Sequence, residues 1–529
     1  VCCWKAQGSE SVVRMVNPTP REIEPLLQMK LIGFNNRKYD NHILYGRYMG
    51  YTNQQLFELS QRLISNDRDA TFASAWDLSY TDIYDFSTKK QSLKKFEIEL
   101  GIKHVEMDIP WDEEVPRDKV DKVVEYCVND VIATEKVFEN RSSDWKARQV
   151  LAAVSGLNVN ATTNNHTQQI IFGGNRKPPF VHTDLSKQFP GYEYSFGKST
   201  YKGIDVGEGG LVRAKPGFYR NVALLDVASM HPTSLVELEC FGEYTVRVRD
   251  LLRARLAVKH HDHETAGTLL GGALAPFLGD DDEALAFALK IAINSVYGLT
   301  AAKFPTRCNG MDPMNNQDNI VAKRGALFMV DLEEFIESHG FTVAHIKTDS
   351  VKIPDATPEI IEAVFEFGKK YGYTFEHEAT YDKFCLVNDA VYVAHSADHG
   401  WTATGTQFLH PAVFKSIFTD DVFTIDDLVE TRTVKTRMYL QRGDTREFIG
   451  RVGAFLPVKE KGAELVVERE GKFHAVSRTK GYSWLTVDQY KGLYGDDISK
   501  VNWQYYAELI EQAQATLEKF QSLDVILTA

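Results

Sequence analysis

Two aspartates stand at the ends of short apolar runs that lie far apart in the chain: Val222-Ala-Leu-Leu-Asp226 and His345-Ile-Lys-Thr-Asp349. Runs of this length suit buried strands, and a carboxylate in such a place is most often a cap or turn residue. Brought together on one sheet, the two would instead form an all-oxygen site for Mg²⁺. A pair of ions so held is what in-line phosphoryl or nucleotidyl transfer uses. Between them, Lys290-Ile-Ala-Ile-Asn-Ser-Val-Tyr-Gly298 sets Lys290, Asn294 and Tyr297 at i, i+4 and i+7, on one helical face. Cation, amide and aromatic on one stripe suit a phosphate tail, a sugar and a base. Arg255 and Lys259 form a second i, i+4 cationic pair, for which a solvated basic face is the plainer reading.

These residues need elements to carry them. The spacing predicts strands at Val222–Leu225, Thr342–Ile346 and Val351–Ile353, and helices at Asp250–His261 and Glu283–Tyr297. Upstream, Leu31-Ile-Gly-Phe34 reads as a strand end and Asp118–Glu139 as a helix, together an α/β region. Residues 155–220, rich in Asn, Gly, Pro and Thr, read as a loop-heavy connector. The tail from about residue 411 mixes strand-like runs with Arg432, Lys435, Arg437, Arg442, Arg446 and Arg451, and ends in a helix near Trp503–Leu523. Such a basic cluster suits sequence-independent grip on duplex phosphates.

The bulk numbers exclude several classes. At 529 residues, 43% hydrophobic and 25% charged, the chain is neither disordered nor collagen-like, and its length suggests several domains. No apolar run approaches the ~18–20 residues that span a bilayer. The six cysteines are scattered without a C-x-x-C pair, which argues against a zinc framework and for a reducing, cytoplasmic setting. The net charge of −13 disfavours nonspecific polyanion binding by the whole surface, but a local channel needs only local positive charge. The acidic stretch Gly279-Asp-Asp-Asp-Glu283 coexists with basic ones such as Arg247 to His261. The first residue is Val, so the natural N-terminus is expected to lie upstream.

Taken together the motifs resemble those of family B DNA polymerases, most closely the type found in double-stranded DNA phages. Asp226-Val-Ala-Ser-Met-His-Pro-Thr-Ser234 looks like the family's motif A, Lys290 to Gly298 like motif B, and Lys347-Thr-Asp-Ser350 like motif C. Gly33-Phe-Asn-Asn-Arg-Lys-Tyr-Asp40 and Tyr126-Cys-Val-Asn-Asp130 are similar to the second and third motifs of its 3′–5′ proofreading exonuclease, and Ser92 to Glu97 resembles another stretch of that domain. Thr404-Gly-Thr-Gln-Phe408 and Thr479 to Trp484 extend the likeness toward the C-terminus.

The resemblance implies an α/β and α+β multidomain chain, an RNase H-like exonuclease domain followed by a right-hand polymerase. The expected limits are an exonuclease-like domain at 1–145, connector and first palm elements at 146–210, palm at 211–250, fingers at 251–299, palm at 300–410 and thumb at 411–529. It implies a DNA polymerase that extends a primer 3′-hydroxyl. Asp226 and Asp349, with the carbonyl of Val227, would hold two Mg²⁺, with Mn²⁺ as an alternative. Lys290, Arg255 and Lys259 would clamp the triphosphate. Asn294, Tyr297, Ser229, Met230 and His231 would line the nucleotide pocket, with His231 where the family usually has a tyrosine that excludes a 2′-hydroxyl. Asp40, Asp130 and Tyr126 would belong to the exonuclease metal site.

Partners would be primer–template DNA, dNTPs and phage replisome proteins, with no membrane, a monomeric state and the host cytoplasm as location. The alternatives are a non-catalytic DNA-binding subunit and a chain that is mainly a 3′–5′ exonuclease. Three departures stand out. Lys347 replaces an acid in motif C. The first exonuclease motif, D-x-E, is missing, as if the chain were truncated just upstream of Val1-Cys-Cys-Trp-Lys5. The interval from Asp226 to Lys290 lacks the insertion of protein-primed relatives, which favours a nucleic-acid primer. Val206-Gly-Glu-Gly-Gly210 resembles the family's Y-x-G-G linker without its tyrosine; Gly209 and Gly210 would permit close backbone approach to template.

Overall fold

The computed structural model describes residues 1–109, 113–175, 178, 180–195, 197–207, 209–279, 281–300, 306–308 (backbone only) and 319–528. Asp280 of the acidic stretch, Glu208 of the glycine segment and the Cys308 side chain lie outside the described residues. The chain forms two units, each assembled from separated segments: Val1–Ala152, Leu157–Thr162 and Thr424–Trp503 in the first, and Ala153–Gly156, Thr163–Phe423 and Gln504–Ala529 in the second. The tail from residue 411 contributes to both units.

The first unit is mainly helical at its start. Its strands are short pairs, Cys2–Trp4 antiparallel to Val13–Met15 and Ile32–Gly33 parallel to Thr81–Asp82. The helix Val120–Asn140 buries Ala133 and Val137 and follows the expected span closely. Ile83, Phe86, Phe96, Val137 and Trp145 form a local core. The later segment contributes a five-stranded antiparallel sheet ordered Lys472–Ala475, Glu464–Arg469, Glu430–Arg442, Thr445–Val458, Ser483–Thr486. Within this unit His104 Nε2 lies 3.0 Å from the carbonyl of Val452, and the amide of Arg451 donates to Glu106 (3.3 Å).

The second unit is built on a seven-stranded antiparallel sheet. Its order is Gly400–Thr404, Tyr392–Ser396, Phe375–Leu386, Gly217–Val227, Ser350–Ile353, His345–Lys347, Val212–Ala214. The apolar run Val222–Leu225 is the reason the central strand sits where it does. Val222, Ala223 and Leu225 are buried, and the strand is paired along both edges, to Ser350–Ile353 on one side and Phe375–Leu386 on the other. It begins earlier than the apolar pattern indicates, because Gly217–Arg220 also pair with Phe375–Leu386, as a partly exposed extension.

Two helices, Thr245–Lys259 and Asp282–Leu299, pack against each other and against Thr163–Phe172. The second buries Ala284, Leu285, Ala288, Leu289, Ala292, Ile293, Val296 and Leu299 along one stripe, the face a 3.6-residue period predicts. Asp281 caps it by accepting from the amide of Ala284 (3.0 Å). Thr163–Phe172 lies in the stretch expected to be a connector, as do the three short strands Glu193–Ser195, Lys198–Tyr201 and Ile204–Asp205. Isolated polar sequence hid these elements; their apolar partners, such as Ile170, Ile171 and Phe172, are buried against distant residues. The helix Ile320–Ser338 is buried along nearly its whole first half. Its Lys323 donates to Ser199 Oγ and the Val206 carbonyl (both 2.6 Å), and Arg324 donates to the Tyr371 carbonyl (2.7 Å). Among the described residues no helix is long and apolar enough to cross a membrane.

Candidate active site

The central strand delivers Asp226 one residue before its end, and the short hairpin delivers Asp349 at its turn. Asp226 pairs across the sheet with Ser350 on one side and Glu376 on the other. The amide of Val227 donates to the carbonyl of Asp349 (2.8 Å), and that of Ala228 to Thr374 (2.9 Å). Both aspartates are half-buried. Thr348, with φ 56°, turns the hairpin so that Asp349 follows immediately. Its amide is held by the Leu211 carbonyl (2.8 Å).

Gly210 explains how that segment comes so near. Its φ is 109°, and a Cβ there would stand 2.9 Å from Thr348 Cγ2. The close approach foreseen at this glycine is therefore made to the hairpin of Asp349.

Burial first, then the negative charges of Asp349, Glu378 and Glu376, push the Asp226 carboxyl up to about 7, with Lys352 opposing. Like charges so crowded favour a shared cation, and an all-oxygen donor set fits a hard divalent ion such as Mg²⁺. Glu376 and Glu378 escaped the sequence reading. Their signal is the alternation Phe375-Glu-His-Glu378 on a strand, and the bulge between Leu224 and Leu225 adjusts the register of these acids opposite Asp226. Lys352 was also missed. It is buried, with its ammonium 5.3 Å from the Tyr392 ring centre. Burial, then the charge of Lys347, pushes it down to about 8. Lys347 itself is exposed.

After Asp226 the chain turns through Ser229 (φ 56°) into the helix Met230–Glu237. Met230 is buried against Gly325, where any Cβ would lie 2.5 Å from its sulfur. That contact fixes the start of the helix and thereby the His231 ring, which stacks on Tyr297 with centres 4.6 Å apart and planes 24° from parallel. Burial pushes His231 below its usual range, with Asp349 opposing, so the imidazole is neutral near pH 7. Its Nδ1 is buried without a hydrogen-bond partner among the described residues. The Tyr297 hydroxyl accepts from Asn319 Nδ2 (2.7 Å).

Tyr297 therefore joins the helix Asp282–Leu299 to the aspartate site through His231. On the same helix Lys290 and Asn294 are exposed. Arg255 is half-buried and Lys259 exposed on the neighbouring helix. Among the described residues none of these three cations has a carboxylate partner.

In the first unit, Asp40 opens the helix Asp40–Tyr48. It is open to solvent yet closely surrounded by protein. That crowding, with the charges of Asp82 and Asp130, raises its carboxyl well above the usual range. Asp130 and Tyr126 lie one turn apart on Val120–Asn140, and Lys94 joins them. Its ammonium pairs with Asp130 and with Glu97 (3.0 Å) and lies 4.2 Å from the Tyr126 ring centre. Buried Glu97 also meets His104 (2.9 Å) and Asn129 (3.2 Å). Asp82 is fully engaged as a structural acceptor for the amides of Asn35, Arg37 and Tyr84 (2.7, 3.1 and 2.9 Å). Several of the tail's basic residues also have partners: Arg432 pairs with Glu430 (2.6 Å) and Arg446 lies over the Phe473 ring (3.9 Å).

No protein-family model matches the chain, and no curated protein sequence does. Among solved structures, the family B DNA polymerase from the hyperthermophilic archaeon Pyrobaculum calidifontis is similar, with 15% sequence identity over 94% of this chain and 72% of that one and a TM-score of 0.42. That likeness is distant.

Proposed function

We propose that this chain is a template-directed DNA polymerase of the family B kind that extends a primer 3′-hydroxyl with deoxynucleotides. The observation that carries this reading is the convergence of Asp226 and Asp349 on neighbouring strands, beside Glu376 and Glu378 and linked through His231 and Tyr297 to the lysine-bearing helix. When bound, two Mg²⁺ ions would activate the primer hydroxyl and neutralise the triphosphate and leaving pyrophosphate.

Asp226, Asp349 and the Val227 carbonyl would hold the ions. Lys290, Arg255 and Lys259 carry free positive charge for the triphosphate, whose charge redistributes as the bond breaks. The stacked His231 and Tyr297 would form the floor of the sugar and base pocket, where Ser229 and Asn294 complete the wall; Met230, expected there from the motif, is instead buried against Gly325 and anchors the turn. Template sequence is read by base pairing, so no base-specific side chains are needed.

Primer–template DNA and dNTPs are then the partners, and replication of a phage genome the setting, with a monomeric chain in the host cytoplasm. Within the nuclease-like set of Asp40, Tyr126 and Asp130, Lys94 already neutralises Asp130; this speaks for a polymerase rather than a chain that is mainly a nuclease. Primer extension with Mg²⁺, run beside Asp349→Asn, is the test. Extension by the parent and its loss in the variant are expected, whereas DNA binding without extension in both would reduce the chain to an inert subunit.

A further inference from the structure

A second cluster of ligating groups lies outside the carboxylate site. The chain leaving the helix Thr245–Lys259 reads His260-His261-Asp262-His263-Glu264. His261 adopts φ 56°. Asp262 caps the short helix His263–Thr268 by accepting from the Thr265 amide (3.0 Å). These two features turn both rings toward Asp282, the first residue of the helix Asp282–Leu299. His261 Nδ1 lies 2.9 Å and His263 Nε2 2.7 Å from the same oxygen, Asp282 Oδ2. The other oxygen, Oδ1, accepts from the Gly279 amide (3.0 Å). The three ligand atoms all fall within 4.8 Å of one another.

We propose that His261, His263 and Asp282 bind one borderline divalent transition ion of the Zn²⁺ class. Two imidazole nitrogens and one carboxylate oxygen are a donor set such ions accept, with water completing the shell. Mg²⁺ prefers an octahedron of oxygens, so this site and the Asp226–Asp349 site select different metals. The carboxylate is already oriented, since its second oxygen is fixed by a backbone amide, as the outer shell of a metal site commonly arranges. Bound there, the ion would clasp the end of one helix to the beginning of the next. The inference does not depend on the polymerase reading.

The test is a calorimetric titration of the full chain with Zn²⁺ alone, in buffer holding Mg²⁺ in large excess to mask oxygen-only sites, without DNA or nucleotide. One equivalent should bind, and His263→Ala and Asp282→Asn should each weaken binding by at least about tenfold. His260→Ala, which alters an exposed neighbour outside the triad, should leave it unchanged. Substituted Co²⁺ should give visible absorption bands that His263→Ala abolishes. If a variant fails to fold, His261→Ala serves in its place. Absence of Zn²⁺ uptake by the parent chain, or uptake as tight in His263→Ala and His261→Ala as in the parent, would overturn the proposal.

Discussion

The amide of Val227 donates to the carbonyl of Asp349 across 2.8 Å, so the backbones following one acidic side chain and bearing the other are fastened together. Relative motion of the two carboxylates is thereby limited to their own side-chain torsions. If the two carboxylates hold metal as proposed, preorganisation of this kind would spare the site from assembling its ligands at the moment of reaction.

Asp226→Asn and Asp349→Asn are each expected to reduce primer extension at least about a thousandfold. The first should also stabilise the metal-free protein. The folded carboxyl titrates near 7, above its ordinary value of 3.8, so the ionised form is disfavoured by folding. Stability is then full at low pH and is lost as pH rises from about 4 through about 7. In chelator at pH 8 the asparagine variant should be about 1–2 kcal/mol more stable, after discounting for solvent at a half-buried group, and equal to the parent near pH 3. Urea unfolding at the two pH values measures this.

Lys352 places a positive charge beside Asp226, which opposes cation binding there. Its amine is held down near 8, so the charge disappears as pH rises through about 8. The Mg²⁺ concentration for half-maximal extension should therefore fall across that interval in the parent. Lys352→Met should show a requirement about threefold lower at pH 7 and a smaller fall with pH than the parent, the remainder being the ionisation of Asp226. A parallel pH dependence in both proteins would count against this account.

His231→Ala removes the ring stacked on Tyr297. Discrimination between dNTP and rNTP, read as the ratio of kcat/KM values, should fall about tenfold or more, and His231→Tyr should retain it. Unchanged discrimination would make His231 a packing residue only.

Glu97 is fully buried and binds Lys94, His104 and Asn129. Glu97→Ala leaves the Lys94 ammonium with only Asp130 and should cost the first unit about 3 kcal/mol, measured as a lower urea midpoint. A loss below about 1 kcal/mol would show that the network relaxes freely.

The aspartate strands were legible because a buried strand is written as a continuous apolar run and its end as a sudden charge. The run Val222–Leu225 and the turn at Asp349 carry both signals. Helix Asp282–Leu299 was legible through its periodic alanines and leucines. Glu376 and Glu378 were not, because exposed acids on an edge of alternating sequence look like ordinary solvent-facing residues until the bulge of the partner strand is known. Lys94 and Lys352 were hidden for a related reason: a lysine declares its burial only through what packs around it. The contact of Gly210 with Thr348 is likewise tertiary, although the paired glycines marked the place.

The first unit is completed by Thr424–Trp503, and the second by Gln504–Ala529. During synthesis the first unit cannot close until Thr424–Trp503 has left the ribosome, nor the second until Gln504–Ala529 has. The usual order, in which an early domain finishes before a later one emerges, is broken, since most of the second unit is made before the first can close. Its opening 152 residues must wait, with part of their apolar surface uncovered, for a sheet encoded more than half a chain away.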